Sequence, residues 1–299
     1  MGEHIAVLAN PFAGKGRGAH AAATAVERLR AEGVEVRAYA GASPEDTVRL
    51  AAHALSEKPS ALVVVGGDGT LSGILELLIR HAVPIALVAA GTGNDLARAL
   101  DLPRDDPGAA ALLAVRGTPR TIDVGEVRSD IGTRLFLTVA ALGFDARVSE
   151  RTNRLRWPRG VLRYYLALLI ELARLRPMAF RLSIDEETPR GAPGTLIAVG
   201  NTASYGGGMP VCVGAEADDG LLDVVHVRSI GRLRLIRLFP SLLSGRHLER
   251  REVSHRRAHS VAVSAPGLVV YADGERVGAG TATIRLRPAA ITMLMPSEA

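Results

Sequence analysis

Hydrophobic residues in the first 125 positions form short continuous runs, separated by longer stretches in which alanine and leucine mix with polar residues. The continuous runs predict buried strands, and the longer stretches predict helices. We expect strands at 5–8, 34–37, 61–65 and 84–88, and helices at 19–31, 44–57, 71–81 and 94–100. Apolar strands that alternate with helices are typical of a mostly parallel sheet covered on both faces.

The pattern changes after about residue 125, where the apolar segments often have glycine or proline nearby. Such segments predict an antiparallel sheet or sandwich. We expect its strands at 136–142, 180–184, 196–200, 222–227, 261–263, 268–271 and 283–286, with helices at 161–176 and 233–243. The final strand, at about 291–295, suits either half of the chain. The expected fold is therefore an α/β unit followed by an antiparallel β unit.

Three of the predicted parallel strands end in glycine-rich turns. The first runs into residues 10–18, which include Lys15 and Arg17, the third into 66–72, and the fourth into 91–95. Glycine permits positive φ and a close approach of the backbone to a ligand, and the N–H groups at a helix start attract anions. Since ligands of α/β proteins bind at such strand ends, the three turns predict a phosphate site.

Asp68 changes the chemistry expected of this site, because a carboxylate that faces a phosphate would repel it. Mg²⁺ between the two groups removes the repulsion, which points to a nucleoside triphosphate. Each turn alone has a simpler explanation: a tight turn at Asp68, a surface loop at Lys15, which lacks Walker A spacing, and a helix cap at Asp95. The three turns together favour a shared phosphate and metal site.

Composition narrows the choice of function. Apolar residues make up 47% of the 299 residues, enough for a large core, and Cys212 is the single cysteine, so no intrachain disulfide can form. The formal charge of +5 comes almost entirely from arginine. It suits anionic membranes, nucleic acids or phosphorylated ligands, and a coding bias explains it equally well. With no evident secretory signal or membrane-spanning stretch, we expect a soluble, cytoplasmic protein.

The motifs, in this order and spacing, resemble those of the diacylglycerol kinase catalytic domain superfamily, and above all its soluble bacterial lipid kinases. Sphingosine and ceramide kinases are more distant members. The likeness starts with Asn-Pro-x-x-Gly-x-Gly at Asn10, Gly-Gly-Asp-Gly-Thr at Gly66 and Gly-Thr-x-Asn-Asp at Gly91. It continues through 121–125, 141–145, 201–208, 217–223 and 273–275. The resemblance therefore covers nearly the whole chain.

The resemblance implies an ATP-binding α/β domain at 1–125 plus about 288–299, a β-sandwich lipid-substrate domain at 126–287, and an active site in the cleft between them. It assigns ATP binding to Asn10, Lys15, Gly66, Gly67, Asp68, Gly69, Thr70, Leu71, Ser72, Thr92 and Asn94. It assigns the catalytic Mg²⁺ to Asp68, Asp95 and Asp123, and a second, structural Mg²⁺ to Asp219 with the carbonyl groups of Glu216 and Leu221. It makes Glu275 the general base, with Asp68 and Asp273 as further catalytic residues.

Two of these assignments fall on sequences that also predict turns. Asp273-Gly274 is a strong hairpin signal, and a hairpin that presents Glu275 satisfies both interpretations. Asp218-Asp219-Gly220 is a turn signal as well, so a structural turn and a metal site both remain open at Asp219.

Two basic segments are relevant to whether the protein binds a membrane surface. The first combines arginines with aromatic and apolar residues: Arg151, Arg154, Arg156, Trp157, Arg159, Arg163, Tyr164, Tyr165, Leu166, Leu168 and Leu169. The second holds Arg232, Arg234, Arg237, Arg246, Arg250, Arg251, Arg256 and Arg257. Tryptophan and tyrosine beside arginine suit an anionic membrane surface that the protein binds peripherally. A core helix flanked by solvated charge explains the pattern equally well, and no nucleic-acid module is recognisable.

We therefore expect ATP- and Mg²⁺-dependent phosphorylation of a lipid hydroxyl, such as that of diacylglycerol, to give phosphatidic acid. A NAD kinase-like enzyme shares the Gly-Gly-Asp-Gly turn but usually has Asn-Glu where this chain has Asn94-Asp95. A nucleotide-binding regulator without turnover would need neither Glu275 nor the full carboxylate set. The sequence leaves open the acceptor, which could also be phosphatidylglycerol or a sphingoid base, the physiological metal, and whether the chain forms a homodimer.

Overall fold

The computed structural model describes residues 4–158 and 161–297. It divides into two compact units, one formed by Met1–Val124 with Pro288–Ala299 and the other by Gly125–Arg287. The first unit is α/β and the second is rich in antiparallel strands, which confirms the predicted fold class.

The first unit is built on a parallel sheet in the order β4-β3-β1-β2. Its strands are β1 (His4–Ala9), β2 (Glu35–Ala40), β3 (Ala61–Gly66) and β4 (Ile85–Ala89). Its helices are α1 (Ala13–Ala31), α2 (Pro44–Ser56), α3 (Asp68–Ser72), α4 (Leu75–His81), α5 (Asp95–Ala99) and α6 (Pro107–Arg116). All residues of β1 and β3 are buried, as expected of central strands covered on both faces.

Two helices of this unit differ from the prediction. The helix expected at 71–81 is two short helices, since the segment breaks at Gly73 and Ile74, and glycine is a poor helix former. Helix α6 was not predicted, although Asp106 caps it by accepting a hydrogen bond from the Ala109 N–H at 2.9 Å, with Pro107 as its first residue. The Asp-Pro pair carries the same signal as Ser43-Pro44, which marked α2 correctly.

The second unit contains most of the antiparallel strands. After β5 (Thr118–Ser129), which begins in the first unit, come β6 (Gly132–Phe136), β7 (Val139–Gly143), β8 (Met178–Ile184), β9 (Arg190–Gly200), β10 (Leu222–Arg228), β11 (Val253–Ala258), β12 (Ser260–Ala272) and β13 (Glu275–Met295). The helices are α7 (Phe144–Arg154), α8 (Val161–Ala173) and α9 (Arg232–Leu243), with a 3₁₀ turn at His247–Glu249. Strands β5, β6 and β11 and helix α7 were not predicted, and the strand expected at 136–142 corresponds to β7. The strands expected at 283–286 and about 291–295 are parts of the single strand β13.

Strands β9 and β12 hold this unit together. Each pairs with β7 at one end and with β8 at the other, so the sheet folds over a core that includes Phe136, Phe180 and Ile197. The opposite face of β7, β9 and β10 is covered by α7, α8 and α9. Strand β13 leaves the second unit after Arg287 and pairs with β4 in parallel at Met293 and Ile85.

Candidate functional site

The first glycine-rich turn is tied to the second by Asn10. Its side-chain N–H donates to the Thr70 hydroxyl at 3.3 Å, and its backbone N–H donates to the carbonyl of Val65 at 2.9 Å. Gly14, Lys15 and Gly16 follow with φ of 57°, 63° and 94°. Three successive residues in the left-handed region turn the chain sharply before α1 continues, and Lys15 is exposed on that turn.

Arg17 fastens the first turn to the third. Its guanidinium donates to the carbonyl of Gly91 at 2.7 Å and to that of Gly14 at 3.2 Å. A Cβ at Gly14 would lie 2.0 Å from the carbonyl oxygen of Ala90, so the two backbones are in contact. Nothing in the sequence around Arg17 indicates this structural role.

The second and third turns also touch through glycine. A Cβ at Gly91 would lie 2.6 Å from the Cα of Gly67, a distance that side chains do not reach. Gly69, in contrast, has nothing within 4 Å of its Cβ direction. The paired glycines therefore let two strand ends meet, while Gly69 leaves one side of the turn open.

Asp68 is the carboxylate that joins the second turn to helix α5. Its Oδ2 accepts the N–H of Asp95 at 3.1 Å, and its Oδ1 accepts the N–H of Leu96 at 3.2 Å. These N–H groups have no partner inside the helix, so Asp68 satisfies them from outside. These contacts bring the three turns together, and the shared phosphate and metal site expected there stays a prediction.

The other two carboxylates predicted for the catalytic metal are buried. Asp95 lies in the first turn of α5, where Arg98 donates to its Oδ1 at 2.6 Å. Asp123, on β5, accepts the N–H of Ala289 at 2.7 Å. Within residues 4–158 and 161–297, no three or more histidine, cysteine or acidic side chains form a direct metal cage. The role of Asp68, Asp95 and Asp123 around Mg²⁺ therefore stays a prediction.

The remaining residues predicted to bind ATP surround the same turns. Gly66, Gly67, Gly69 and Thr70 belong to the second turn and Leu71 is buried beneath it, with Ser72 partly exposed. In the third turn Thr92 is exposed, and Asn94 has a φ of 52° and donates to the Gly91 carbonyl at 3.2 Å.

The predicted catalytic residues of the second unit lie at a hairpin. Asp273 and Gly274 have φ of 47° and 80°, and the flanking residues Ala272 and Glu275 pair across β12 and β13. Two consecutive left-handed residues are the mark of a type I′ turn. The hairpin interpretation of this motif is therefore correct.

The Asp273 carboxylate anchors this hairpin to the loop between β6 and β7. It accepts the backbone N–H groups of Leu137 at 2.8 Å and Thr138 at 2.9 Å, and the Thr138 hydroxyl at 2.6 Å. The Asn201 side chain donates to the Leu137 carbonyl at 2.9 Å and thus ties the end of β9 to the same loop. Nothing in the sequence links Asp273 with Thr138, because 135 residues separate them.

Glu275 is exposed as the first residue of β13. Across the described part of the chain, its carboxylate makes no hydrogen bond or ion pair, whereas the next residue, Arg276, lies 3.7 Å from Glu150. An exposed carboxylate at the end of an anchored hairpin is available to accept a proton.

The site predicted for a second Mg²⁺ is arranged differently. Asp219 is paired with Arg257 and also accepts the N–H of Leu221 at 2.9 Å. Glu216 is exposed nearby in sequence. Because Arg257 already neutralises the Asp219 carboxylate, this arrangement does not fit a cation well, and it supports the turn interpretation.

One unusual carboxyl group was not singled out from the sequence. Asp145, in the first turn of α7, is buried, and this burial raises its pKa to about 7. The N–H of Ala146 and the hydroxyl of Tyr205 donate to it at 2.9 and 3.2 Å and oppose the shift. A Gly-Phe-Asp sequence after a strand gives no sign of such burial.

The two basic segments are only partly free of partners. Arg151 and Arg154 pair with Glu171 and Glu150, and from the second segment Arg256 and Arg257 pair with Glu187 and Asp219. Arg159 lies outside the described residues. Among the helices that the structure describes, none combines the length and apolar character needed to cross a membrane.

Comparison with known proteins adds two family matches and several relatives. Residues 4–127 match the diacylglycerol kinase catalytic domain, and residues 138–295 match the YegS C-terminal NAD kinase beta sandwich-like domain. A diacylglycerol kinase of Mycobacterium tuberculosis is 44% identical over 98% of this chain and 95% of its own. A probable YegS-like lipid kinase of Stenotrophomonas maltophilia is 31% identical over 95% and 94% of the two chains.

Solved structures show the same fold. A crystal structure of a putative diacylglycerol kinase from Bacillus anthracis has a TM-score of 0.78, with 22% identity over 98% of both chains. An NAD kinase from Archaeoglobus fulgidus in complex with ATP has a TM-score of 0.52, with 15% identity over 97% of this chain and 93% of its own. At these identities, the likeness concerns the fold alone.

Proposed function

Since the chain belongs to the diacylglycerol kinase catalytic domain family of lipid kinases, we propose that it transfers the terminal phosphoryl group of ATP to a lipid hydroxyl. The acceptor we favour is diacylglycerol, which would become phosphatidic acid. The names of relatives at 44% and 27% identity, both diacylglycerol kinases, support this choice. Because this acceptor lies in a bilayer, the enzyme would work as a cytoplasmic protein that binds the membrane peripherally.

The observation that carries the proposal is the joining of three glycine-rich turns at the strand ends of the first unit. The contacts of Asn10, Arg17 and Asp68 hold these turns in one arrangement before any ligand binds. Turns that are fixed before binding suit phosphate groups, since no ordering is required when the ligand arrives. Lys15 and Thr92, both exposed on the turns, would add a charge and a hydroxyl.

Asp68, Asp95 and Asp123 are the residues that would hold the catalytic Mg²⁺ through its waters. Carboxylate oxygens are the ligands that Mg²⁺ prefers, and this ion usually keeps several water molecules. Asp68 and Asp95 lie together, because the Asp68 carboxylate accepts the Asp95 backbone N–H. Arg98 already pairs with the Asp95 carboxylate and would have to release it to the waters of the ion. When bound, Mg²⁺ neutralises charge on the transferring phosphoryl group. Asp219 enters no step of this proposal, because the second Mg²⁺ expected there is structural and takes no part in the transfer.

Glu275 is the group that we assign as general base. A lipid hydroxyl is a weak nucleophile, and a carboxylate within hydrogen-bond reach accepts its proton as the oxygen attacks phosphorus. The exposed Glu275 carboxylate, without a partner among the described residues, supports this role. Asp273 would act by positioning, because its carboxylate fixes the hairpin that precedes Glu275.

The experiment that tests the proposal is transfer of radiolabelled phosphate from ATP across a panel of lipids and NAD. We expect label on diacylglycerol, its loss when EDTA removes the metal, and its return with Mg²⁺. Label on NAD and on no lipid would replace the proposal with a NAD kinase. Binding of ATP without transfer to any acceptor would favour the nucleotide-binding regulator.

A further inference from the structure

A cavity of about 670 Å³ within the second unit gathers an unusual number of arginines. Helix α7, the end of α8, the start of α9 and the turn inside β12 form its walls. The charged residues that line it are Arg147, Glu150, Arg151, Arg154, Glu171, Arg174, Arg176 and Arg232. The proposed reaction uses none of these residues, so the cavity needs an explanation of its own.

The cavity's positive charge is only partly neutralised. Glu171, which is buried, pairs with Arg151, and Glu150 accepts from Arg154 at 3.0 Å. Across the described part of the chain, the other four lining arginines, Arg147, Arg174, Arg176 and Arg232, have no carboxylate partner. Arginines that line one cavity without carboxylate partners suit a phosphate, which a guanidinium group binds through paired N–H donors.

Apolar strips on two helices accompany this charge. On α8, Leu162, Tyr165 and Leu169 are 67%, 52% and 62% exposed and are spaced to share one helical face. On α9, which begins at the cavity residue Arg232, Leu233 and Ile236 are 72% and 51% exposed.

The two helices turn their other faces inward. Ala167 of α8 and Leu235 and Leu238 of α9 pack into the same buried cluster against β9 and β10. The exposed strips therefore do not stabilise the core of the second unit, and their solvent contact costs free energy unless something covers them.

We propose that the arginine cavity binds the headgroup phosphate of an anionic phospholipid, while the apolar strips of α8 and α9 enter the same bilayer. Charge complementarity selects this partner, because a phospholipid surface supplies phosphate and hydrocarbon together. Nucleic acid supplies the phosphate but no hydrocarbon for Leu162, Leu169, Leu233 and Ile236. The inference rests on the proposed function only in that the acceptor lies in a bilayer.

Vesicle binding without ATP tests the inference separately from catalysis. Vesicles of phosphatidylcholine, with or without phosphatidylglycerol, are sedimented with the full chain. The cavity variant carries Arg147→Gln, Arg174→Gln and Arg176→Gln. Its control carries Arg134→Gln, Arg181→Gln and Arg190→Gln, three exposed positions of the same unit outside the cavity lining. We expect the cavity variant to lose at least about tenfold in binding to anionic vesicles, and the control to lose less than about threefold.

Two further variants keep the test decisive. Arg147→Lys with Arg174→Lys preserves the charge but not the paired donors, and should also weaken binding. Leu169→Ser with Leu233→Ser should weaken vesicle binding and leave the fold intact, since both side chains are exposed. Urea unfolding of each variant checks the fold.

Two outcomes would overturn the inference, and a third would separate it from the proposed function. Equal losses of vesicle binding in the cavity variant and its control would show that net charge, and not the cavity, determines the binding. Binding of inorganic phosphate in the cavity with no binding to anionic vesicles would make it a soluble-phosphate site. Vesicle binding that depends on the cavity in a protein that phosphorylates no lipid would support the inference while the proposed function failed.

Discussion

Asp68 of the first unit and Asp273 of the second are fastened in the same way. Each precedes a glycine, and each carboxylate accepts two successive backbone N–H groups from a distant segment, 95–96 for Asp68 and 137–138 for Asp273. Glu275, two residues after Asp273, is exposed and makes no hydrogen bond or ion pair among the described residues. The difference indicates that an aspartate in a glycine turn can position the backbone, while a neighbouring carboxylate remains available for chemistry.

The largest expected effect is the loss of catalysis on substitution of Glu275, which, unlike Asp68 and Asp273, does not anchor the backbone. Glu275→Gln should lower kcat by about 10²–10⁴-fold, the usual contribution of general base catalysis, with little change in the KM for ATP. The free energy of unfolding should stay within about 0.5 kcal/mol of the original chain, because the side chain is exposed.

Steady-state kinetics and urea unfolding check this result. The neighbouring exposed substitution Arg276→Gln is the control for a change at the hairpin. Phosphoryl transfer at the original rate in Glu275→Gln would eliminate the general-base role and leave the mechanism without a proton acceptor in the second unit.

The next effect concerns Asp145, which is buried and accepts backbone N–H groups only from its own neighbourhood, unlike Asp68 and Asp273. Its pKa is about 7 in the folded protein and about 3.9 in an unfolded chain. Between pH 4 and pH 7 the Asp145 carboxyl is ionised in the unfolded chain but still protonated in the folded protein. The free energy of unfolding therefore falls as the pH rises from 4 to 7, and it is constant above pH 7. Asp145→Asn removes this dependence, with a gain on the order of 4 kcal/mol at pH 8.

Urea unfolding at pH 5 and pH 8 measures this difference. Asn keeps an acceptor for the Ala146 N–H and a donor for the Tyr205 oxygen, so the contacts survive. The control is Asp105→Asn, which removes one negative charge at an exposed position. A stability difference between Asp145→Asn and the original chain that does not vary with pH would show that Asp145 is not protonated in the folded state.

Asp273→Asn tests whether this carboxylate positions or reacts. The amide keeps one acceptor but presents an NH₂ group to a backbone N–H, so we expect a loss of about 3 kcal/mol in the free energy of unfolding. Thr138→Val, which removes only the 2.6 Å hydroxyl contact, should cost about 1 kcal/mol. An Asp273→Asn protein as stable as the original but inactive would instead place Asp273 among the reacting groups.

The architecture of this protein was readable from its sequence because its strands are apolar and its turns rich in glycine. The core strands β1, β3 and β4 were predicted within one or two residues, since each is a continuous buried run. The long strand β12 was predicted as two pieces, because its register shifts between Ser264 and Val269 interrupt the alternation of apolar residues. Helix α7 was missed because it is mostly polar, with three arginines or glutamates in its last seven residues.

The candidate site was predictable only as a set of turns. The motifs identified Asp68, Asp273 and Glu275, but nothing local indicates that Asp68 caps α5 or that Asp273 holds the Thr138 loop. Such contacts join residues that are distant in the sequence, and they depend on how the strands are ordered in the sheet. Arg17 illustrates the limit, since an arginine in a loop is usually solvated, yet here it bonds the Gly91 carbonyl.

The smallest effects distinguish the two kinds of glycine in the turns of the first unit. Gly91→Ala places a Cβ 2.6 Å from the Cα of Gly67, so the strand ends must separate, at a cost of about 2 kcal/mol. Gly69→Ala meets nothing within 4 Å and lies in helix α3, where alanine is favoured over glycine. Its stability should therefore be unchanged or slightly higher.

The KM for ATP should also differ between the Gly69→Ala and Gly91→Ala proteins. If the open side of the second turn receives the ATP phosphates, Gly69→Ala should raise the KM for ATP by about tenfold while the protein stays as stable as the original, because a methyl group occupies the approach of the phosphate. Gly91→Ala should show the loss of stability first. An unchanged KM in Gly69→Ala, measured with Gly191→Ala as the control at an open position outside the three turns, would move the phosphates away from Gly69 and towards the Lys15 turn.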